Sequence, residues 1–281
     1  MTSLPRQLGV VGLGLMGGAL ARAVRAVDPA VRVVAVEPRD DVRTQALAEG
    51  VVQVATAVPG PELGGCDLAI LCMPVAIIEA MLGPVSRLLP DGAVLTDVGG
   101  AKEALVRRAA AEVRPGVTFV GAHPMFGGHG GYLGSAAAAE RWKGGSVAIC
   151  TDGDPAATAR VAGLHAALGA TVVRCTAAEH DAAVAMVSHL PYLVASALSV
   201  AAARAGPLAR ALAGPGLRDT TRLAAFPFDI QGEVARRNAH LPAAAARLQE
   251  HLAALVQAIT ASPETARTAL EQARTAREEL F

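Results

Sequence analysis

Three glycines in the opening run Leu8–Leu20, LGVVGLGLMGGAL, are spaced as Gly12-x-Gly14-x-x-Gly17 between an apolar, strand-like stretch and an alanine-rich, helix-like one. This spacing suits a dinucleotide pyrophosphate: Gly12 permits a sharp strand-to-helix turn, Gly14 lets the backbone approach phosphate, and Gly17 lets the helix pack close to the sheet. The free N–H groups and positive dipole end of the new helix would hold the anion without a Lys or Arg. Gly12, Gly14, Leu15, Met16 and Gly17 are therefore the expected phosphate-side residues. A carboxylate should follow the second strand to accept hydrogen bonds from the adenosine ribose, and Glu37 closes the run VRVVAV, 25 residues beyond Gly12. The same charge repels a 2′-phosphate and favours NAD. Arg39 can stack on adenine or accept a 2′-phosphate, which keeps NADP as the alternative.

The elements that must position these residues are short apolar runs alternating with helix-like segments. The runs are Leu8–Val11, Arg32–Val36, Leu68–Cys72, Ala93–Thr96, Thr118–Gly121, Ser146–Cys150 and Thr171–Arg174. Such alternation predicts a parallel sheet with crossover helices. Beyond Arg174 the chain is rich in Ala, Leu and Arg, shows no strand pattern, and is punctuated by Pro191, Pro207, Pro215, Pro227 and Pro242, so it should be helical. The expected architecture is α/β: a Rossmann-type dinucleotide-binding domain at 1–174, then an all-helical domain at 175–281. Ala-rich helices bury little area each, so the second domain should enlarge its core by pairing with another copy, giving a homodimer. The tract Ala136–Ala139 reads as ordinary helix former.

Composition narrows the function classes. Lys plus Arg and Asp plus Glu number 25 each, so no net field favours nucleic acid or an anionic membrane. Apolar runs are expected to break before the roughly 18 residues a membrane span needs. The first strand begins within ten residues, leaving no room for a signal peptide, and a cytoplasmic location is expected. Cys66, Cys72, Cys150 and Cys175 show no C-x-x-C spacing and read as reduced packing residues. No His/Cys cluster has metal-ligand spacing, and no metal is expected.

In open α/β sheets ligands bind at the carboxyl ends of strands, and three segments fall there or open the helical half. They are Asp97-Val-Gly-Gly-Ala-Lys102, Gly121-Ala-His123-Pro124-Met125-Phe126-Gly127, and His180-Asp181 through Ser188-His189-Leu190-Pro191-Tyr192. Asp97 joins the expected cofactor-binding set, and Lys102 reads as a solvated helix-start lysine. With Arg218-Asp-Thr-Thr-Arg222-Leu, these segments resemble the prephenate and arogenate dehydrogenases of tyrosine biosynthesis, in the family's order and over nearly the whole chain. The resemblance implies NAD-dependent oxidative decarboxylation of a small cyclohexadienyl substrate. By that resemblance His123 assists deprotonation of the ring hydroxyl, a task suited to a neutral imidazole with an ordinary pKa of about 6.5. Arg222 receives a substrate carboxylate, with Arg218 four residues earlier as the other candidate, and Ser188, His189 and Tyr192 line the substrate pocket. Asp181 is expected to fix interdomain geometry.

The chain departs from the family at three positions. Gly100 stands where the family usually has a serine, Tyr192 replaces the second histidine of S-H-x-P-H, and His129 stands about where many members carry Glu. Prephenate is the expected substrate, with arogenate or an amino-bearing ring as alternatives. A β-hydroxyacid dehydrogenase would expect a catalytic Lys in the helical half, whereas the two lysines, Lys102 and Lys143, both precede 174. An NAD-binding regulator without catalysis is the remaining alternative. With Phe281 ending the helical tail, a monofunctional enzyme without a ligand-sensing domain is expected.

Overall fold

A computed structural model describes residues 4–126 and 139–280. The chain forms two compact units, the first comprising residues 1–183 and 226–238 and the second 184–225 and 239–281.

The first unit is built on a six-stranded, wholly parallel sheet in the order β3-β2-β1-β4-β5-β6. Its strands are β1 (Gln7–Val11), β2 (Arg32–Val36), β3 (Val54–Thr56), β4 (Leu68–Leu71), β5 (Val94–Asp97) and β6 (Thr118–Val120). The near-continuous apolar runs are explained by burial on both faces. Leu8, Val10, Val33, Ala35, Leu68 and Ile70 face one core, against the helix Leu15–Val27 and the helix Pro155–Ala167. Val11, Val34, Val36, Ala69 and Leu71 face the other, against Val75–Ser86 and Glu103–Glu112. Register is fixed by pairs such as Gly9 with Val34 and Gly9 with Ala69.

The predicted single sheet is corrected on one point. Ser146–Cys150 (β8) and Thr171–Cys175 (β9) form a separate three-stranded sheet with β7 (Ala122–Pro124) in the order β7-β8-β9. The physical reason is that only Gly121 separates β6 from β7, so no crossover helix can return the chain to the first sheet. Instead β7 turns away and pairs antiparallel with β8, placing His123 opposite Ala148.

From Ala177 onward every described element is helical. The prolines mark helix starts rather than breaks: Pro191, Pro207, Pro215 and Pro242 sit in the first turns of Leu190–Arg204, Pro207–Ala211, Pro215–Thr221 and Leu241–Ala261. A missing N–H costs nothing there. The helical run Ala177–Arg204 spans 28 residues and is long and apolar enough, by length and composition alone, to cross a membrane, which corrects the expectation that no apolar segment reaches that length. Within the second unit Leu198, Val200, Leu208, Leu212, Leu252, Val256, Ile259 and Leu270 are exposed.

Candidate active site

The glycine turn follows β1 at the carboxyl edge of the parallel sheet. Gly12 has φ +98°, and a Cβ there would lie 2.5 Å from the Cys72 carbonyl oxygen; its N–H donates to Val36 O at 2.7 Å. At Gly17 a Cβ would stand 1.9 Å from Gly12 O, so only glycine lets the helix meet the turn. Gly14 differs from both, since a Cβ there meets nothing within 4 Å. The protein itself leaves open space at this position, room for the close approach of a phosphate. Gly14 is also the cap residue of the helix that opens with Leu15 and Met16, and among the described residues no side chain caps that end. This is the geometry an incoming phosphate needs.

Glu37 is 4% exposed. Its Oε2 accepts from Leu13 N–H at 2.9 Å and its Oε1 from Arg39 N–H at 3.0 Å, which ties the glycine turn to the end of β2. Each carboxylate oxygen has two acceptor positions, so one remains on each for a ribose hydroxyl. Arg39 places Nε and a terminal nitrogen on Asp41 at 3.2 and 2.7 Å, so a 2′-phosphate would have to compete with that carboxylate. The residues present fit an NAD-type dinucleotide.

One expectation from sequence, a solvated Lys102, is corrected at the end of β5. Asp97, expected among the cofactor-binding residues, is fully buried. Its Oδ2 accepts from Gly99 N–H at 2.7 Å and from Lys102 Nζ, and its Oδ1 from Ala122 N–H at 3.1 Å. Lys102, expected in solvent, is equally buried, and besides its ion pair with Asp97 its Nζ donates to Ala122 O at 2.9 Å. Sequence suggests a helix-start lysine in water because Lys102 follows a Gly-Gly-Ala turn. Asp97 supplies the counter-charge that makes burial affordable. The pair grips Ala122 by both its N–H and its C=O, and so fixes the backbone that presents His123.

His123 is half-buried on β7. A Cβ on Gly100 would stand 3.5 Å from its Cε1 and Nε2 and 3.4 Å from Val234, so a serine side chain would find ordinary contact distances there. His123 Nδ1 lies 2.9 Å from His180 Nε2, and His180 Nδ1 lies 2.8 Å from Asp181 Oδ1. Asp181 works inside this unit: its two oxygens accept from Lys102 N–H at 2.8 Å and Glu103 N–H at 2.9 Å, capping the helix Glu103–Glu112. Burial pushes its carboxyl up, but the bonds from His180 and the two N–H groups outweigh this and hold it below the usual Asp value. Asn238 Nδ2 donates to Asp181 O at 2.7 Å, and Arg237 pairs with Glu79 at 3.1 Å; these contacts account for 226–238 belonging to the first unit, which a division at 174 leaves in the second.

The remaining expected residues lie in the second unit. Ser188 and His189 sit in a π-helical turn, Ala185–His189, closed by Leu190 N–H to Ala185 O. Pro191 follows and has no N–H to donate, and the wider turn accommodates that loss. His189 is buried and Tyr192 half-buried. Arg218 and Arg222 are exposed, one in Pro215–Thr221 and the other opening the short turn Arg222–Ala225, and neither makes an ion pair among the described residues. His129, Gly127 and residues 136–138 lie outside the described residues. The cysteines are free; Cys66, Cys72 and Cys150 are buried, with burial pushing the Cys150 thiol up to about 12, whereas Cys175 is only partly covered.

Comparison with known proteins completes the picture. Residues 20–174 match the family model described as prephenate dehydrogenase, nucleotide-binding domain, and residues 176–271 that described as prephenate dehydrogenase, dimerization domain. Prephenate dehydrogenase of Lactococcus lactis is 30% identical over 222 residues, covering 76% of this chain, which spans only 60% of that relative's length. The 4-amino-4-deoxyprephenate dehydrogenase of Streptomyces pristinaespiralis is 34% identical over 147 residues, or 50% of this chain and 46% of the relative. The crystal structure of Synechocystis arogenate dehydrogenase superposes with a TM-score of 0.84 at 27% identity, covering 98% of this chain and all of the other. The glycine turn, the His123 site and two family models that together run through nearly the whole sequence agree, and the chain belongs to the prephenate dehydrogenase family.

Proposed function

We propose that this chain catalyses the NAD-dependent oxidative decarboxylation of prephenate to 4-hydroxyphenylpyruvate, in the cytoplasmic synthesis of tyrosine, as a homodimer formed through its helical unit. The observation that carries the reading is His123: a half-buried imidazole beside Gly100, on a backbone clamped by the Lys102–Asp97 pair. Gly12, Gly14, Leu15, Met16, Gly17, Glu37 and Arg39 would hold the dinucleotide. When bound, NAD supplies the acceptor for the hydride that leaves the ring carbon bearing the hydroxyl, as the carboxylate departs as carbon dioxide and the ring becomes aromatic.

His123 takes the proton of the ring hydroxyl. Arg222 receives a substrate carboxylate through two parallel hydrogen bonds, with Arg218 as its neighbour and Ser188, His189 and Tyr192 lining the substrate. Exposed apolar side chains such as Leu252, Val256 and Ile259 supply material for the dimer interface. Gly100 supports a second reading. Without a side chain beside His123 Nε2, the ring's polar substituent meets no hydroxyl partner from that position, which favours a ring bearing an amino group in place of the hydroxyl.

The test is a pair of variants. His123→Asn should abolish turnover while NAD binding persists, and Arg222→Ala should raise KM. An Asn variant retaining more than about a tenth of wild-type kcat, against the 10²–10⁴-fold that general bases contribute, would remove His123 from the chemistry.

A further inference from the structure

We infer that His180 is the positioning residue for the base: oriented by Asp181, it holds His123 in the tautomer that carries hydrogen on Nδ1 and a lone pair on Nε2. The inference rests on the reading of His123 as the group that takes the ring-hydroxyl proton. Its geometry lies wholly within the first unit. The His123 and His180 rings meet edge to face, with centroids 5.1 Å apart at 68°.

The direction of every bond in the chain follows from its buried end. Asp181 is 2% exposed and receives two backbone N–H groups at the start of the helix Glu103–Glu112. A carboxylate so placed is ionised and can only accept. The 2.8 Å contact is therefore His180 Nδ1–H donating to Asp181 Oδ1. Because those N–H groups and the helix dipole already balance the carboxylate, His180 need not be a cation. A neutral imidazole with hydrogen on Nδ1 has its lone pair on Nε2. That lone pair accepts at 2.9 Å, so His123 Nδ1 must be the donor. What remains on His123 Nε2 is a lone pair, the form a general base requires. His180 is 3% exposed, so bulk water is poorly placed to take its role.

The same chain serves the protonated state. Once His123 gains a proton its charge lies against the His180 lone pair, backed by the Asp181 carboxylate, while His180 keeps its Nδ1 proton and Asp181 stays ionised. Without His180 the two His123 tautomers would compete, and the one with hydrogen on Nε2 cannot accept from substrate.

The experiment combines ¹⁵N NMR of the seven histidines with steady-state kinetics of His180→Phe and His180→Gln. His123 is assigned by its loss in His123→Asn, and ¹⁵N shifts distinguish a protonated ring nitrogen from one bearing a lone pair. The expected result is an Nδ1–H tautomer at His123 in the wild type. In His180→Phe, kcat should fall about 100-fold with KM within about threefold, a drop within the range general base catalysis supplies. Glutamine can present its carbonyl to His123 and its amide to Asp181, so His180→Gln should recover at least about a tenth of wild-type kcat. A wild-type His123 carrying hydrogen on Nε2, or a folded His180→Phe with kcat within about threefold of wild type, overturns the inference. If the Phe variant does not fold, the wild-type tautomer and the Gln variant still decide it. A wild type silent with every cyclohexadienyl substrate would overturn the functional reading, and the tautomer would then decide this inference alone.

Discussion

Replacing Lys102 by methionine removes one partner of a completely buried ion pair while keeping a side chain of similar length. Stranding a buried charge costs about 3–5 kcal/mol. Asp97 keeps its bonds from Gly99 and Ala122 N–H groups, which soften the loss, but Ala122 O loses the charged donor now 2.9 Å away, a bond of about 1.5–3 kcal/mol. These figures overlap, and a net destabilisation of about 3–4 kcal/mol is expected. Trp142 is the sole tryptophan and is fully buried in the first unit, so urea unfolding followed by its fluorescence reads the unit that holds the pair. Adding Asp97→Asn to Lys102→Met removes the stranded charge and should recover more than half of the loss, giving a strongly non-additive cycle. Because the pair grips Ala122, the methionine variant should also lower kcat in whatever fraction remains folded. A loss below about 0.5 kcal/mol, or a double variant that is merely additive, would refute the claim that this pair anchors His123.

Further expectations concern the nucleotide turn, acid stability and the substrate arginine. Gly14→Ala should leave thermal stability nearly unchanged and weaken NAD binding at least about tenfold, or 1.4 kcal/mol, whereas Gly17→Ala should fail to fold, since its Cβ would meet Gly12 O at 1.9 Å; tight NAD binding by Gly14→Ala would argue against a phosphate there. His165 lies edge to edge with Trp142, its ring parallel to the indole within 4°, and accepts the Nε1–H at 3.1 Å, and burial pushes the imidazole down from 6.5 to about 4. The unfolded chain then takes up the proton first, so stability is lost as pH falls from about 6.5 through 4, by about 3 kcal/mol at pH 4. His165→Phe should flatten that acid limb in urea melts read by Trp142 fluorescence, and an unchanged slope would count against the assignment. Arg222→Ala should raise KM by roughly 10–100-fold, the equivalent of 1.5–3 kcal/mol, in initial-rate assays, and a KM unchanged within twofold would move the carboxylate contact elsewhere.

What the sequence made legible is what local chemistry dictates. The glycine spacing, the carboxylate after β2 and the unbroken apolar runs each have a strictly local cause, and the parallel sheet follows from them. Val54–Thr56 escaped because a three-residue strand carries almost no pattern. Ala122–Pro124 escaped because its proline and histidine argue against a strand; the structure tolerates them at a sheet edge, where proline is allowed. Lys102 reads as solvated from its local sequence because its environment is set by Asp97 and Ala122, which surround it only after β5, β6 and β7 assemble. The link from Asp181 to His123 runs through His180, which stands 57 residues from His123 in sequence, and no spacing rule announces it. Phe226–Asn238 belongs to the first unit through Asn238 and Arg237, whose partners, Asp181 and Glu79, are likewise distant.

The most direct measurement of the central claim is NADH or NADPH formation at 340 nm with purified protein, given prephenate or arogenate, each with NAD and with NADP. The account predicts turnover of prephenate with NAD, weaker or no turnover with NADP, and loss of signal in His123→Asn. Silence across all four combinations, from protein that binds NAD, would contradict it.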